Sequence, residues 1–193
     1  VFIGAVSTVQ TSYQLVSPLI PLKTIAQIVR DTVILEFAPT LVCIVLAGVI
    51  GSKIASELGN MRVSEQIDAL EIMGINTKTY LIMPKVGAAL LTIPMLVVIA
   101  MALGIYGGRF AGKAAGILPV ETFDAGLMEN FVPFNVTFGL IKAFTFAFII
   151  STVSAYYGYY VKGGSLEIGR SSTTSVVVSC VMILLADYLL AAM

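Results

Sequence analysis

Long apolar runs alternate with short polar segments along the whole chain. A membrane-spanning helix needs about 20 mostly apolar residues, and four of the runs have that length while the first is shorter. The five runs cover residues 1–16, 33–52, 86–108, 136–160 and 174–193. The pattern therefore predicts an all-α integral membrane protein with five transmembrane helices, the first of them truncated.

Composition supports this class and excludes several others. Of the 193 residues, 58% are hydrophobic and 11% are charged, whereas soluble domains have about 45–50% apolar and about 25% charged residues. The formal net charge is zero, so there is no basic field to attract nucleic acid. Histidine is absent, which excludes His-dependent catalysis and His-based metal sites.

Two further motif classes are missing from the sequence. Cys43 and Cys180 both lie in apolar runs and indicate neither a disulfide framework nor a redox motif. The chain also lacks a GxxxxGK[ST] phosphate-binding loop. If ATP drives the protein, a separate subunit must therefore supply the ATPase.

The segment between the second and third predicted spans, residues 53–85, is the most charged part of the chain. A weak excess of basic residues here and in residues 162–172 favours a cytoplasmic location for both loops. From Ser64 the segment reads as an amphipathic helix, with Ser64 as N-cap and Gly74 as C-terminal stop. Its apolar stripe is Val63, Ile67 and Leu70, and its acidic flank is Glu65, Asp68 and Glu71.

This short helix has two interpretations. It could lie on the lipid surface, as interfacial helices do, or it could be a docking helix for a soluble partner. Interfacial helices usually present Lys and Arg to anionic headgroups, whereas this one presents acids. The charge pattern therefore favours docking.

The same segment carries a resemblance to a known family. It is similar to the signature of the MlaE/YrbE permeases in Glu57, Gly59, Met61, Arg62, Glu65, Gln66, Ala69, Leu70 and Met73. Weaker matches are Phe2-Ile3-Gly4, Leu35-Glu36-Phe37-Ala38-Pro39 (with Leu35 in place of Arg and Ala38 in place of Gly), residues 104–108, residues 169–177 and Asp187. The resemblance covers essentially the whole chain.

The resemblance implies an architecture and a function. Residues 1–193 would form a single MlaE-like permease domain that lacks the family's N-terminal interfacial helix and the start of its first span. The protein would be the permease of an ABC transporter that moves phospholipid between membranes, in the bacterial inner membrane. Its partners would be a second copy of itself, a cytoplasmic ATPase that holds ATP and Mg²⁺, and a periplasmic MCE-domain lipid-binding protein.

Three sets of candidate site residues follow from the sequence and the resemblance together. The candidate lipid path is Ser7, Gln10, Gln14, Glu36, Phe37 and Lys142. The candidate ATPase-coupling helix is Glu57, Gly59, Met61, Arg62, Glu65, Gln66, Asp68 and Leu70. The candidate helix-packing residues are Gly104 and Gly108.

Two of the lipid-path assignments have alternatives. Glu36 and Lys142 are ionisable groups in apolar spans, and they could form a structural ion pair or snorkel, or they could contact lipid headgroups; the resemblance favours the contact. Ser7, Gln10, Gln14 and Ser17 form a polar stripe that could be either interhelical hydrogen bonding or a cavity wall.

Two rival functions also fit an apolar chain of this kind. An ion-coupled secondary transporter or channel would use Glu36, Lys142 and Asp187 as a relay. A membrane scaffold would transport nothing and would have no lipid-filled cavity.

Overall fold

A computed structural model describes residues 1–15, 21–116 and 119–192, and the regular elements in these ranges are all helices. They are α1 (Phe2–Gln14), α2 (Leu22–Val63), α3 (Gln66–Ile72), α4 (Lys78–Ala114), α5 (Val120–Met128), α6 (Pro133–Tyr159) and α7 (Ser165–Ala191). The prediction of an all-α protein is confirmed.

Four of the helices are long and apolar enough to cross a membrane. They are α2, α4, α6 and α7, with 42, 37, 27 and 27 residues. Helix α1 has 13 residues, fewer than a span needs, so the predicted fifth span rests on the sequence alone. Ser17, the last member of the predicted polar stripe, lies outside the described residues.

The predicted boundaries were too narrow in two places. Residues 53–63, expected in a loop, continue helix α2 to Val63. Residues 109–133, which lie between the third and fourth predicted spans, contain the end of α4 and the whole of α5. Hydropathy marks where a helix enters lipid and not where it ends, because Lys, Glu and Arg are good helix formers in water.

Helix α2 is not uniformly α-helical. Its turns widen to π-helix at Val33–Leu41 and again at Ala47–Gly51. The first of these segments contains Pro39, which lacks an N–H and would clash with the preceding turn of an ordinary α-helix. Single π-helical turns are often found at functional sites, and this one holds Glu36 and Phe37.

The chain forms two compact units. Unit 1 comprises Val1–Val42 and Leu96–Ile141, and unit 2 comprises Cys43–Met95 and Lys142–Met193. The core of unit 1 is built from one face of α2 (Ile25, Ala26, Val29 and Val33) and from Phe123 of α5. The core of unit 2 contains Ile54 and Leu58 of α2, Ile67 of α3, Leu81 of α4, and Ala155 and Tyr159 of α6.

A buried arginine fastens the end of α5 to α2 in unit 1. The guanidinium of Arg30 donates hydrogen bonds to the carbonyl oxygens of Leu127 and Glu129, at 2.7 and 3.0 Å. It also donates from Nε to Asp31 at 2.9 Å and stacks over the ring of Phe131. Because free carbonyls are left at a helix C-terminus, Arg30 supplies the donors that α5 needs there.

Glycines allow α1 and α4 to touch along their backbones in unit 1. A Cβ on Gly4 would overlap the carbonyl group of Gly104, and one on Gly108 would lie 2.6 Å from Oγ1 of Thr8. Gly104 itself leaves room for Val33, whose Cγ1 would be 2.7 Å from an added Cβ. Gly104 and Gly108 therefore stand where only a small residue fits, which is the arrangement that small-residue rows produce in membrane helices.

This contact gives the first prediction. Gly108→Leu should lower thermal stability by about 1–3 kcal/mol through overpacking against α1, and Gly108→Ala should cost less because the Thr8 hydroxyl can rotate. Gly87→Leu is the matched control, since Gly87 is on the same helix with open space around its Cα. The measurement is thermal unfolding of the detergent-solubilised protein, and equal Tm values for the two Leu variants would refute the packing role.

Candidate functional site

An apolar groove lies between α1 and the first π-helical segment of α2 in unit 1. It has a volume of about 280 Å³. The lining residues are Phe2, Ile3, Val6, Ser7, Gln10, Phe37 and Leu41. Three of the six residues predicted for the lipid path, Ser7, Gln10 and Phe37, therefore meet in one groove.

The predicted polar stripe of α1 divides between two environments. Ser7 is buried, whereas Gln10 and Gln14 are exposed, and Gln14 is not among the groove-lining residues. The hydroxyls that point into unit 1 also include Thr8 and Ser12, which donate to the carbonyls of Gly4 and Thr8 at 2.9 and 2.6 Å. Sequence reasoning passed over this second row, although Gly4, Thr8 and Ser12 repeat at four-residue spacing.

The two ionisable residues of the predicted lipid path lie in different units. Glu36 is half-buried on the π-helical segment in unit 1, beside Phe37. Lys142 belongs to unit 2, where it is fully buried and its Nζ lies 2.8 Å from Oδ1 of Asp187. Asp187, a weaker family match and a member of the alternative ion relay, is an ion-pair partner of Lys142 in the structure.

The second candidate site is the loop segment around α3 in unit 2. Its predicted N-cap, Ser64, is wrong: Ser64 ends the preceding helix, and its Oγ donates to the carbonyl of Asn60 at 2.7 Å. The N-cap position is occupied by Glu65, whose φ of 59° turns the chain sharply between the two helices. The helix therefore begins at Gln66, one residue later than the capping pattern suggested.

The predicted stop at Gly74 is confirmed. Gly74 has a φ of +78°, and its N–H donates to the carbonyl of Glu71 while the N–H of Ile75 donates to that of Leu70. This pair of hydrogen bonds is the Schellman ending of a helix, which glycine favours because it adopts positive φ without strain.

Acidic residues of the signature are used within unit 2. Asp68 accepts a hydrogen bond of 2.6 Å from Nη1 of Arg62, and Glu57 lies 2.8 Å from Nζ of Lys85. Glu71, on the predicted acidic flank, accepts from the hydroxyls of Thr77 and Tyr159 at 3.1 and 3.0 Å. These side chains brace the turns of the loop, whereas Glu65 of the predicted flank is exposed.

The remaining signature residues divide between packing and exposure. Met61 and Leu70 pack against the core cluster around Leu58. Gly59 is buried, and a Cβ there would lie 3.3 Å from Ile168 of α7. Gln66 is exposed, and its role stays a prediction.

One face of α3 and its ends remains uncovered. It consists of Glu65, Gln66, Ala69, Ile72 and Met73, and the two large apolar side chains are 87% and 65% exposed. Exposed apolar side chains rimmed by polar ones are typical of a surface that binds another protein. Ile72 and Met73 therefore contribute most of the apolar surface on this face, and the docking role of the segment stays a prediction.

The glycine- and threonine-rich start of α7 borders a wider cleft in unit 2. This cleft has a volume of about 490 Å³ and is lined by Leu166, Glu167, Gly169, Arg170, Thr173 and Thr174. Arg170 forms a loose ion pair with Glu167 at 3.7 Å. Of the residues that resemble the family's last span, Gly169, Arg170, Thr173 and Thr174 are thus exposed along this cleft.

Sequence reasoning missed Tyr159, Thr77 and Arg30. Tyr159 lies in a run of tyrosines at the end of a predicted span, a pattern that is usually explained as an aromatic belt at the membrane surface. From the hydropathy pattern alone, Thr77 and Arg30 are expected in the segments between the spans. No periodicity indicates that these side chains are buried, because their partners are distant in sequence.

The buried ion pair gives the second prediction. Lys142→Met should cost about 3–5 kcal/mol of stability, because it leaves Asp187 facing an apolar interior without its lysine. The double variant Lys142→Met/Asp187→Leu should recover part of that loss. Thermal unfolding is the measurement, with Lys162→Met, at an exposed lysine of the same unit, as the control. A double variant no more stable than the single one would contradict a direct pairing.

Comparison with known proteins gives a consistent family. The family model described as Permease MlaE matches residues 1–193. A probable ABC transporter permease protein of Rickettsia bellii is 39% identical over 98% of this chain and 73% of its own length. A probable ABC transporter permease protein of Synechocystis is 31% identical over 98% of this chain and 72% of its own length. The chloroplastic Protein TRIGALACTOSYLDIACYLGLYCEROL 1 of Arabidopsis thaliana is 34% identical over 80% of this chain and 44% of its own. The chain belongs to the MlaE family of ABC transporter permeases.

Proposed function

We propose that this permease moves phospholipid between membranes and that it does so as a transport subunit without covalent chemistry of its own. The observation that supports a lipid substrate is the groove of unit 1. It has apolar walls from Phe2, Val6 and Phe37, and two polar side chains, Ser7 and Gln10, on the same lining. An amphiphile needs this combination, with apolar surface for its chains and a few polar groups for its head.

The size of the groove supports a second copy of the chain. Its volume of about 280 Å³ is at the lower end of ligand pockets, which measure about 300–1,000 Å³. A two-chain lipid needs more room than one such groove gives. We propose that two copies face each other as a homodimer and enclose the lipid path between them, with Glu36 and Gln14 extending its polar part.

A separate ATPase would provide the energy. The sequence has no phosphate-binding loop, so ATP and Mg²⁺ would be bound by that partner in the cytoplasm. The exposed face of α3 is the surface we assign to it. Helix α3 is fastened to unit 2 by Asp68 and Glu71, so a force applied to Ile72 and Met73 would be transmitted to the rest of the unit.

The other partner and the location follow from family membership. We propose that a periplasmic MCE-domain protein delivers or receives the lipid, and that the complex resides in the bacterial inner membrane. The Arabidopsis relative bears the name of a diacylglycerol lipid, which agrees with a lipid substrate. An ion relay through Glu36, Lys142 and Asp187 has less support, because Lys142 and Asp187 form a direct pair in a chain that belongs to an ABC permease family.

The test of the function is ATP-dependent lipid movement. The permease is co-expressed with its ATPase, and the complex is placed in liposomes that contain a fluorescent phospholipid. ATP should drive movement of that lipid to an acceptor, whereas ATP without Mg²⁺ should not. A complex that hydrolyses ATP and moves no lipid would refute the proposed substrate.

A third prediction concerns docking. Glu65→Lys combined with Ile72→Ser should weaken co-purification of the ATPase at least about tenfold, because apolar anchors at an interface typically contribute 2 kcal/mol or more. Glu65 is chosen over Asp68, since reversing Asp68 would also break its bond to Arg62. Leu166→Ser is the control, as Leu166 is equally exposed, at 84%, elsewhere in unit 2. Unchanged co-purification of the double variant would place the ATPase elsewhere.

A fourth prediction concerns the lipid path. A photo-crosslinker at position 10 or 37 should capture phospholipid in native membranes more efficiently than one at position 95. Met95 is an exposed apolar residue of α4 and samples bulk lipid. Mass spectrometry of the adducts is the measurement. Equal yields at all three positions would mean that the groove contacts ordinary bilayer and is no transport path.

A further inference from the structure

We propose that Tyr159 is the positioning residue that couples α3 to α6, so that movement of the loop helix is transmitted to the span that carries Lys142. The role in transport that we give to Tyr159 rests on the proposed function. Its structural basis is independent of that function and lies in the hydrogen bonds at the end of α6.

The hydroxyl of Tyr159 is at the centre of a half-buried polar cluster in unit 2. It donates to Oε1 of Glu71 at 3.0 Å and lies 2.8 Å from Oγ1 of Thr77. Thr77 Oγ1 lies 3.1 Å from the same Glu71 oxygen. Tyr159 and Thr77 are buried and Glu71 is exposed, so the two hydroxyls are shielded from water and the carboxylate reaches them from the surface.

Proton counting guarantees the Glu71 carboxylate at least one hydroxyl donor. A tyrosine and a threonine bring one hydroxyl proton each, and an ionised carboxylate brings none. Two protons must therefore serve three short contacts. With the phenol donating to Glu71, the threonine donates either to Glu71 or to the phenol oxygen, and the carboxylate is held by a charge-assisted bond in both cases.

Helix α3 depends on such a contact. It has seven residues, and an isolated helix of that length is not stable in water. Ile67 and Leu70 provide apolar contact with the core cluster, but apolar contact is not directional. The bond from Tyr159 to Glu71 fixes where α3 lies along α6, and the guanidinium of Arg62, 5.9 Å from the centre of the Tyr159 ring, supports the same ring from the preceding turn.

Tyr159 is also well placed to transmit motion. It is the last residue of α6, and Lys142 lies 17 residues earlier on the same helix. At about 1.5 Å per residue the two are roughly 25 Å apart along a continuous helix. Lys142 in turn is paired with Asp187 of α7. A displacement of α3 would therefore reach a buried ion pair between two spans through one hydroxyl and one helix.

The test uses Tyr159→Phe in the complete complex with its ATPase. This variant removes the hydroxyl and keeps the ring in the core cluster. The lipid moved per ATP hydrolysed should fall about tenfold, the scale of a lost bond to a charged group, while co-purification of the ATPase remains within about twofold of wild type. Tyr160→Phe is the matched control, because Tyr160 is the neighbouring tyrosine and its side chain is half exposed.

A second measurement follows α3 directly. Amide hydrogen exchange of residues 66–77 in lipid nanodiscs should accelerate about tenfold in Tyr159→Phe, and by less in Thr77→Val, which keeps the Tyr159–Glu71 bond. This measurement requires no transport. A wild-type complex that moves no lipid would therefore refute the proposed function, but the exchange measurement would still test the role of Tyr159.

Two results would overturn the proposal. One is a Tyr159→Phe complex whose lipid-to-ATP ratio or whose exchange in residues 66–77 equals that of wild type. The other is loss of ATPase binding in Tyr159→Phe with an unchanged ratio in the remaining complex, which would make the hydroxyl a support for the docking surface and not a coupling element.

Discussion

A polar group that is buried among apolar helices has no water to form hydrogen bonds with. In each of the two units, such groups form hydrogen bonds or ion pairs with other parts of the protein, and the packing of the helices depends on these partners. Arg30 donates to carbonyls that the end of α5 leaves free. Lys142 pairs with Asp187, and the hydroxyl of Thr8 donates a hydrogen bond to the carbonyl of Gly4, one turn earlier on the same helix. Each of these partners costs several kcal/mol to remove. The partners of Arg30 and Lys142 therefore fix which helices are neighbours far more narrowly than apolar packing does, since apolar packing is not directional.

The same constraint changes the meaning of the signature segment. Its charged residues resemble an exposed acidic surface when read as a sequence, yet Asp68 and Glu57 are paired within unit 2. Their task is to hold the turns on either side of α3. The side chains that remain for a partner are Ile72 and Met73, which a search for charge patterns ignores. A family signature of this kind records what the loop needs in order to fold as well as what it binds.

The class of the protein and most of its long helices could be predicted because hydropathy adds up along the chain and does not depend on the fold. Gly74 was predictable as well, since the positive φ of a helix ending is a local property. Ser64 failed as a cap because the preceding helix continues to Val63, a tertiary outcome that local propensity does not contain. Tyr159 could not be found at all, because Glu71 and Thr77 are 88 and 82 residues away.

The groove also depends on a local change of helix type. Ordinary helices place residues three and four apart on one face, and the stripe of Ser7, Gln10 and Gln14 was chosen on that spacing. Residues Val33–Leu41 instead form a π-helix, whose hydrogen bonds reach one residue further and whose turns are wider. Positions four and five apart then share a face, so Phe37 and Leu41 line the groove with α1, while Val33, Ala38 and Val42 share an adjoining one. Pro39 promotes this widening because it cannot donate to the turn before it. The groove therefore joins an α-helical face of α1 to a π-helical face of α2, and Ser7 and Gln10 of the predicted stripe meet Phe37 there.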